Sequence, residues 1–263
     1  MSCADSLVDP KLPPGATQFT PPAVFTTWWE MTKACSGRSG SLDAVTWYEV
    51  PTNVPLESDG KPVSAYWSAA SNQIVVSAAV ARNGQVIRHE MLHALLRTKG
   101  HSRADFLERC AGRVTCSLRC IEDAGPAPAV PASVPRVVPS AMQVTVKADP
   151  VNQYSSVNDG YFSMIVRVHN PAPNPVFVIL PEPSTVGGPV SFSYRLSGLG
   201  SEALDLIALD GGVAMFAAGE TKEHVFDFFI GNGSLTGHVY TGLYTFSGAY
   251  GGHAAPDYSL WVR

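Results

Sequence analysis

One stretch of the sequence, His89-Glu90-Met91-Leu92-His93, has the residue types and the spacing of a metal site. Residues four positions apart lie one above the other on a helix, so the imidazoles of His89 and His93 can bind one Zn²⁺ ion. Glu90 directly follows the first of these ligands and can act as general base on a zinc-bound water. The pattern therefore predicts zinc-dependent hydrolysis.

The residues around this pattern predict the helix that positions it. From about Gln85 to Thr98 the apolar residues surround much of the helical circumference, so the helix is expected to be buried. Polar side chains on a buried helix need partners, and two histidines with a glutamate beside the first favour a metal over separate hydrogen bonds. Gly100 is expected to end the helix because glycine tolerates a positive φ.

A catalytic zinc site needs a third protein ligand and an open position. His101 is the first candidate, because the glycine before it allows a sharp turn that brings the next side chain back toward the metal. Asp105 and Glu108 are the alternatives, since carboxylates also complete zinc sites. Both lie on a short helix predicted over residues 103–110, with Ser102 as its N-cap.

The five cysteines indicate an oxidising compartment. A zinc ribbon needs two close pairs of cysteines, whereas only Cys116 and Cys120 are close. Disulfides are the preferred interpretation, with Cys35–Cys110 and Cys116–Cys120 chosen from three possible pairings. Cys3 resembles the lipidated cysteine at the start of a mature exported bacterial lipoprotein, and a free thiol in a terminal tail is the alternative.

The composition excludes some classes of partner. Charged residues make up 15% of the chain and the net charge is -4, so the chain lacks the concentrated basic face that binds nucleic acid or an anionic membrane. The chain is 45% hydrophobic, enough for real cores. Abundant glycine and proline indicate a protein rich in strands and loops.

A proline-rich stretch over residues 124–140 predicts a semi-rigid linker. It divides the chain into an α+β domain (residues 1–123) and an all-β domain (residues 141–263). In the first half, patterning predicts a helix over Pro22–Ala34 and strands over Ala44–Val50, Ser64–Trp67 and Gln73–Ala79. In the second half it predicts strands over Gln143–Lys147, Phe162–His169, Val176–Leu180, Ser191–Leu196, Leu204–Leu209, Glu223–Phe229, Gly242–Tyr250 and Tyr258–Val262.

The strand Asn72–Val76, the helix with His89, Glu90 and His93, and the Gly100-His101-Ser102 turn together resemble the zincin superfamily of metalloproteases. The resemblance is closest to the metzincin branch, in which a third histidine after a glycine turn completes the zinc site. It implies zinc binding by His89, His93 and His101, with Glu90 as general base.

The same resemblance implies that substrate binds in an extended form along the strand before the helix. Residues Ile74, Val75, Val76 and Ser77 would then line the cleft. The chain departs from the metzincin pattern in two respects. His101 follows His93 by eight residues rather than six, and no methionine lies between Met91 and Met142 to form the methionine turn.

The second half resembles immunoglobulin-like β-sandwiches and, more loosely, bacterial proteinase-inhibitor sandwiches. The segment His169-Asn170-Pro171 through Pro175, followed by a buried strand, carries this resemblance. It implies an all-β sandwich with a tethering, substrate-docking or inhibitory role.

Together these features predict an exported bacterial zinc metallopeptidase of the cell envelope, or a secreted one, acting on a peptide or protein substrate. Two other interpretations stay open: a zinc-binding surface protein without catalysis, and an adhesion or inhibitor module based on the β-sandwich. Membrane attachment is expected only through a lipid on Cys3, and the oligomeric state is left open.

Overall fold

The chain belongs to the α+β class, with few helices and several sheets. A computed structural model of the protein describes residues 12–58, 60–126, 128–148, 161–180, 190–196, 200–207, 214–229 and 242–262. The chain forms two compact units, the first ending at Gly100 and the second beginning at His101. Among the described residues, no helix has both the length and the apolar character needed to cross a membrane.

The first unit contains a mixed sheet and two longer helices within residues 12–58 and 60–100. Its elements are β1 (Thr17–Gln18), α1 (Val24–Ser36), a 3₁₀ turn (Leu42–Ala44), β2 (Thr46–Val50), β3 (Leu56–Ser58), β4 (Lys61–Val63), β5 (Ala65–Ser68), β6 (Gln73–Ser77) and α2 (Gly84–Leu96). The sheet has the order β1-β2-β6-β5. Strands β2 and β6 run parallel, whereas β1 and β5 run antiparallel to their neighbours. Strands β3 and β4 form a separate hairpin.

Helix α1 builds the aromatic core of this unit. It follows two prolines and ends at Gly37, whose φ of 67° is left-handed and whose N–H donates to the Lys33 carbonyl at 2.9 Å. Phe25 and Trp28 on its inner face are almost fully buried. The Phe25 ring lies 4.9 Å from the Trp47 ring of β2, in an edge-on arrangement typical of aromatic pairs. This packing fixes α1 against the sheet.

Helix α2 begins at a side-chain cap. The Asn83 side chain accepts hydrogen bonds from the N–H groups of Gln85 and Val86, at 3.0 and 3.1 Å. The helix ends just before Arg97, which adopts a left-handed φ of 56°. The prediction that Gly100 ends the helix is wrong, because Arg97 makes the turn at a steric cost of about 1 kcal/mol.

The second unit contains short helical segments followed by sheets. Its described elements are a π-helical segment (Arg103–Arg109), α3 (Leu118–Asp123), β7 (Arg136–Val137), a 3₁₀ turn (Pro139–Ala141), β8 (Gln143–Ala148), β9 (Tyr161–His169), β10 (Val176–Val178), β11 (Val190–Leu196), β12 (Gly200–Ile207), β13 (Met215–Phe216), β14 (Thr221–Phe229), β15 (Gly242–Tyr250), β16 (His253–Ala254) and β17 (Tyr258–Val262). One sheet has the order β14-β9-β8 and another β13-β10-β7. In the largest, β12 pairs with β11 and β11 with β15, which also pairs with β16 and β17.

Strands of the two antiparallel sheets share one hydrophobic core. Phe192 of β11 stacks on Phe226 of β14, with ring centroids 5.2 Å apart. At Gly248 of β15 a Cβ atom would lie 2.6 Å from the Val146 side chain of β8. The absence of a side chain at Gly248 therefore lets these strands approach closely.

Residues 101–123 group with the second unit, which differs from the predicted boundary after residue 123. The N–H of Val225 in β14 donates to the Gly112 carbonyl at 2.7 Å, and Arg113 forms an ion pair with Glu223 at 3.2 Å. Gly112 has a φ of 75°, and a Cβ there would lie 2.5 Å from the Glu223 carbonyl oxygen. Glycine is required for this contact, and the contact attaches the segment to the edge of β14.

Part of the predicted linker is a strand. Residues 136–137 form β7, which runs parallel to β10. The N–H of Phe177 donates to the Pro135 carbonyl at 2.9 Å, and the N–H of Ile179 donates to the Val137 carbonyl at 2.8 Å. A proline lacks the N–H but keeps its carbonyl acceptor, so a proline-rich segment can pair at a sheet edge.

Candidate metal centre

Helix α2 brings two imidazole nitrogens to one point. The Nε2 atoms of His89 and His93 lie 3.1 Å apart, and the two ring centroids are separated by 4.8 Å. The spacing of four residues places both rings on one face of the helix, as the sequence pattern predicted. This face is the local geometry on which a metal site can be built.

The turn after α2 orients the second histidine. The left-handed Arg97 reverses the chain, and the Thr98 carbonyl oxygen lies 2.8 Å from Nδ1 of His93. A carbonyl can only accept, so Nδ1 must carry the proton and the neutral ring has its lone pair on Nε2. In zinc sites, a hydrogen bond from the ring nitrogen that does not bind the metal commonly orients the histidine in this way.

The two rings fit a zinc ion. Tetrahedral zinc with Zn–N distances of about 2.0–2.1 Å requires its ligand nitrogens to be about 3.3 Å apart. The observed separation of 3.1 Å between His89 and His93 is close to that value. Zinc prefers imidazole nitrogens as ligands, and here two Nε2 atoms lie close together, at least one of them with a free lone pair.

Glu90 lies in a buried position on the same helix. Its side chain is 5% exposed, and burial raises the pKa of Glu90 to about 8. A hydrogen bond from the backbone N–H of Trp67 opposes this rise because it stabilises the carboxylate. A metal cation near the carboxyl would further favour the ionised form, so metal binding and Glu90 ionisation are coupled.

The structure corrects the prediction that Ile74, Val75, Val76 and Ser77 line a substrate cleft. These residues are in β6, which lies between β2 and β5 and pairs with both. The first three are fully buried, and Ser77 is partly buried. An interior strand has its backbone groups already paired, so it cannot add a substrate strand. Within residues 12–58 and 60–100, the edge strand beside β6 is β5, whose Trp67 N–H binds Glu90.

His101, the predicted third ligand, lies at the start of the second unit and has its own hydrogen-bond partner. Its Nδ1 lies 3.1 Å from Oδ2 of Asp123, at the end of α3. Sequence reasoning missed Asp123 because it is distant from the zinc pattern along the chain. It likewise missed Thr98 and the Trp67 N–H, since backbone groups leave no signal in residue type.

The two alternative third ligands differ from His101 in their surroundings. Both carboxylate oxygens of Asp105 are engaged, one by Arg109 at 2.9 Å and the other by the Ser102 hydroxyl. The Ser102 side chain also accepts from the Asp105 N–H, as expected of the predicted N-cap, although the segment it begins is π-helical. Glu108 is exposed to solvent. Asp105 therefore has a local structural role.

The cysteines of the described residues are oxidised. Cys116 and Cys120 form a disulfide with a Cα–Cα distance of 5.2 Å, and Cys35 and Cys110 each take part in a disulfide. The Cys120 sulfur lies within 4.8 Å of a ring nitrogen of His101. A disulfide sulfur is not a thiolate, so Cys120 is not a zinc ligand in the oxidised protein. Cys3 lies outside the described residues.

No protein-family model and no curated protein matches this chain. Among solved structures, it is similar to the Pseudomonas fluorescens alkylpurine DNA glycosylase AlkC bound to DNA containing an abasic site analog, with 14% identity, a TM-score of 0.28, and 47% of this chain and 30% of that chain covered. A selenomethionine-labelled beta-glucosidase from Kluyveromyces marxianus has 15% identity and a TM-score of 0.25, over 46% of this chain and 14% of that one. The same enzyme in complex with glucose has 10% identity and a TM-score of 0.28, over 93% and 34%. The chain spans about a third or less of each, and similarity at this level carries no argument about fold or function.

Proposed function

We propose that this chain is a zinc-dependent peptidase whose metal is bound by His89 and His93. The observation that carries the proposal is the 3.1 Å separation of the two Nε2 atoms, which fits two ligands of one zinc ion. His101 is the proposed third ligand. Its Nδ1 lies 3.1 Å from the Asp123 carboxylate, a contact of the kind that orients metal-bound histidines, whereas both oxygens of Asp105 are already engaged.

His93 and Glu90 of α2 have distinct roles in this proposal. Zinc, when bound, supplies a Lewis acid that polarises a scissile carbonyl and activates a water molecule. His93 is held in register by the Thr98 carbonyl. Glu90 accepts the proton of the attacking water and transfers it to the leaving amine, as a general base and then a general acid. Its raised pKa of about 8 is typical of a group poised for proton transfer near neutral pH.

Metal content is the first test. Elemental analysis of the purified protein is expected to give about one zinc per chain, as one site requires. His89→Ala is expected to lose most of this zinc, whereas His253→Ala, a change in strand β16 of the second unit, is expected to keep it. Absence of zinc from the wild type, even after reconstitution, would contradict the proposal.

Activity is the second test. Glu90→Gln keeps the shape of the side chain but removes the base, so we expect hydrolysis of a mixed peptide substrate to fall about 100-fold or more while zinc is retained. Glu57→Gln, at an exposed position of β3, is the matched control. Equal activity of Glu90→Gln and wild type would exclude Glu90 as the general base.

Burial of the site favours one other function, a zinc protein without catalysis. Glu90 and His93 are only 5% and 6% exposed, and structural zinc sites are closed whereas catalytic sites keep an open position. In that case zinc would be present at about one per chain, and no peptide in a diverse mixture would be cleaved. Detection of cleavage that a chelator abolishes and zinc restores would exclude it.

We also propose that the second unit is an immunoglobulin-like sandwich and that the protein is exported. The shared core of the antiparallel sheets supports the first proposal, and the oxidised cysteines support the second. An adhesion or inhibitory role for this unit, and a lipid on Cys3, remain predictions from the sequence. Mass spectrometry of protein recovered from the producing cell tests both the lipid and the oxidised cysteines.

A further inference from the structure

Helix α2 ends at a residue whose backbone conformation is unusual for its type. Arg97 has a φ of 56° and a ψ of 37°, which is left-handed, and its side chain is exposed to solvent. Within the described part of the chain, the other non-glycine residue with a positive φ is Asn72, a residue type that tolerates this conformation. Strained backbone is concentrated at functional sites, so the contact that this turn makes is a candidate for function.

The turn at Arg97 brings a backbone carbonyl to His93. In a helix that continued past Leu96, carbonyl groups would point toward the C-terminus, and residue 98 would lie about 7.5 Å further along the axis than residue 93. The left-handed residue reverses the chain instead, and the Thr98 carbonyl oxygen lies 2.8 Å from Nδ1 of His93. The contact therefore depends on the backbone conformation of residue 97 and not on its side chain.

This carbonyl determines how the two histidines of α2 share their protons. Nδ1 of His93 donates to Thr98, so the neutral ring has its lone pair on Nε2. Nε2 of His93 lies 3.1 Å from Nε2 of His89, so the proton of that contact belongs to His89. The resulting chain of hydrogen bonds directs the His93 lone pair toward the other proposed ligand. His89 loses its Nε2 proton when both rings bind one ion.

We infer that Arg97 is a positioning residue whose left-handed conformation orients His93 as a zinc ligand. The inference rests on the proposed function, because it requires zinc to bind at α2. All of the residues it uses lie in the first unit.

Helix α1 of the same unit provides a matched control. It also ends at a left-handed residue, Gly37, with a φ of 67°, and a Cβ added there would meet no atom within 4 Å. A β-branched residue at Gly37 therefore adds left-handed strain to the first unit without changing the turn that contacts His93.

The experiment measures the zinc affinity of the full chain by competition with a chromogenic chelator at constant pH. Arg97→Val is expected to weaken zinc binding by about 10- to 100-fold, the usual effect of removing a group that orients a metal-bound histidine, because a β-branched residue disfavours the left-handed turn. Arg97→Gly loses the same charge but accepts this conformation, so it is expected to bind zinc as the wild type does. Thr98→Ala keeps the carbonyl and is expected to do the same. Gly37→Val is expected to lower the urea unfolding midpoint without changing the zinc affinity.

A second readout does not require zinc. In the metal-free wild type, ¹⁵N–¹H long-range correlation spectra are expected to show His93 with its proton on Nδ1 and His89 with a proton on Nε2. In Arg97→Val the preference of His93 for Nδ1 is expected to decrease, whereas in Gly37→Val it is expected to stay as in the wild type. A change in general stability alone would not move the proton from one ring nitrogen to the other.

Three results would overturn the inference alone: wild-type zinc affinity in a folded Arg97→Val, an equal loss of affinity in Gly37→Val, or a metal-free wild type with the His93 proton on Nε2. If Arg97→Val does not fold, Arg97→Thr, which is also β-branched, takes its place, and the wild-type spectra still decide the tautomer. A wild type that binds no zinc, even after reconstitution, would overturn the proposed function and the inference with it. The wild-type measurement therefore distinguishes the two failures.

Discussion

His224, in β14, provides a stability prediction that does not depend on any metal. Its side chain is 1% exposed, and neither ring nitrogen has a hydrogen-bond partner within the described part of the chain. Burial lowers the pKa of His224 to about 3, and repulsion from Lys222 and Arg113 contributes in the same direction. The adjacent Glu223 carboxylate is paired with Arg113 and Arg167, so its attraction for a proton on the His224 ring is partly cancelled.

The direction and size of the effect follow from the two pKa values. The pKa is 6.5 in the unfolded chain and about 3 in the folded one, so the unfolded state takes up the proton first as pH falls. The contribution of neutral His224 to stability is therefore complete above pH 6.5 and is lost between pH 6.5 and pH 3. Each pH unit below 6.5 lowers the free energy of unfolding by about 1.36 kcal/mol. The decrease is therefore about 2 kcal/mol at pH 5 and about 5 kcal/mol below pH 3.

Amide hydrogen exchange of β9 and β14, corrected for the intrinsic pH dependence, measures the opening free energy of this unit. Tryptophan fluorescence is unsuitable because Trp28, Trp29, Trp47 and Trp67 lie in the first unit and only Trp261 lies in the second. Between pH 7.5 and pH 5 the wild type is expected to lose about 2 kcal/mol more than His224→Gln.

His253→Gln is the control, because that histidine is only partly buried and lies in the short strand β16. It is expected to keep the wild-type pH dependence. The same pH dependence in wild type and His224→Gln would refute the reasoning that His224 is buried as a neutral ring.

Three further predictions concern stability. Gly112→Ala is expected to destabilise the second unit by about 2 kcal/mol or more in urea unfolding, because alanine at a left-handed φ is strained and its Cβ would clash with the Glu223 carbonyl. Gly219→Ala is the control: its φ of 66° is also left-handed, but a Cβ there meets no atom within 4 Å, so it should show the strain alone. Asn83→Ala is expected to cost about 1 kcal/mol in the first unit, since two N–H groups of α2 lose their acceptor; an unchanged unfolding midpoint would contradict this. Removing zinc with a chelator is expected to lower the melting temperature of the protein, because the buried histidine of α2 loses its ion. An unchanged melting temperature would count against zinc binding at α2.

Local features of the structure were predictable because short-range spacing controls them. The apolar pattern around His89 predicted a helix that the structure places at Gly84–Leu96, and the spacing of four residues predicted the convergence of His89 and His93. The end of the helix was not predictable, because Arg97 adopts a conformation that residue type alone disfavours.

Strand order depends on contacts between distant segments. The sequence indicated a buried apolar strand at Ile74–Val76, and that much agrees with the structure. Whether such a strand is interior or at an edge depends on which other strands pair with it, and here β2 and β5 occupy both sides. The prediction of a substrate-binding strand failed for that reason.

The sequence by itself determined that α2 brings the rings of His89 and His93 together, because their spacing is encoded within five consecutive residues. It also indicated the division between an α+β first part and a β-rich second part. Only the tertiary structure decided which groups contact the candidate side chains. Asp123 reaches His101 across 22 positions of sequence, and the Thr98 and Trp67 groups that contact His93 and Glu90 belong to the backbone. Such contacts depend on chain folding over long separations, where residue type carries no information about proximity.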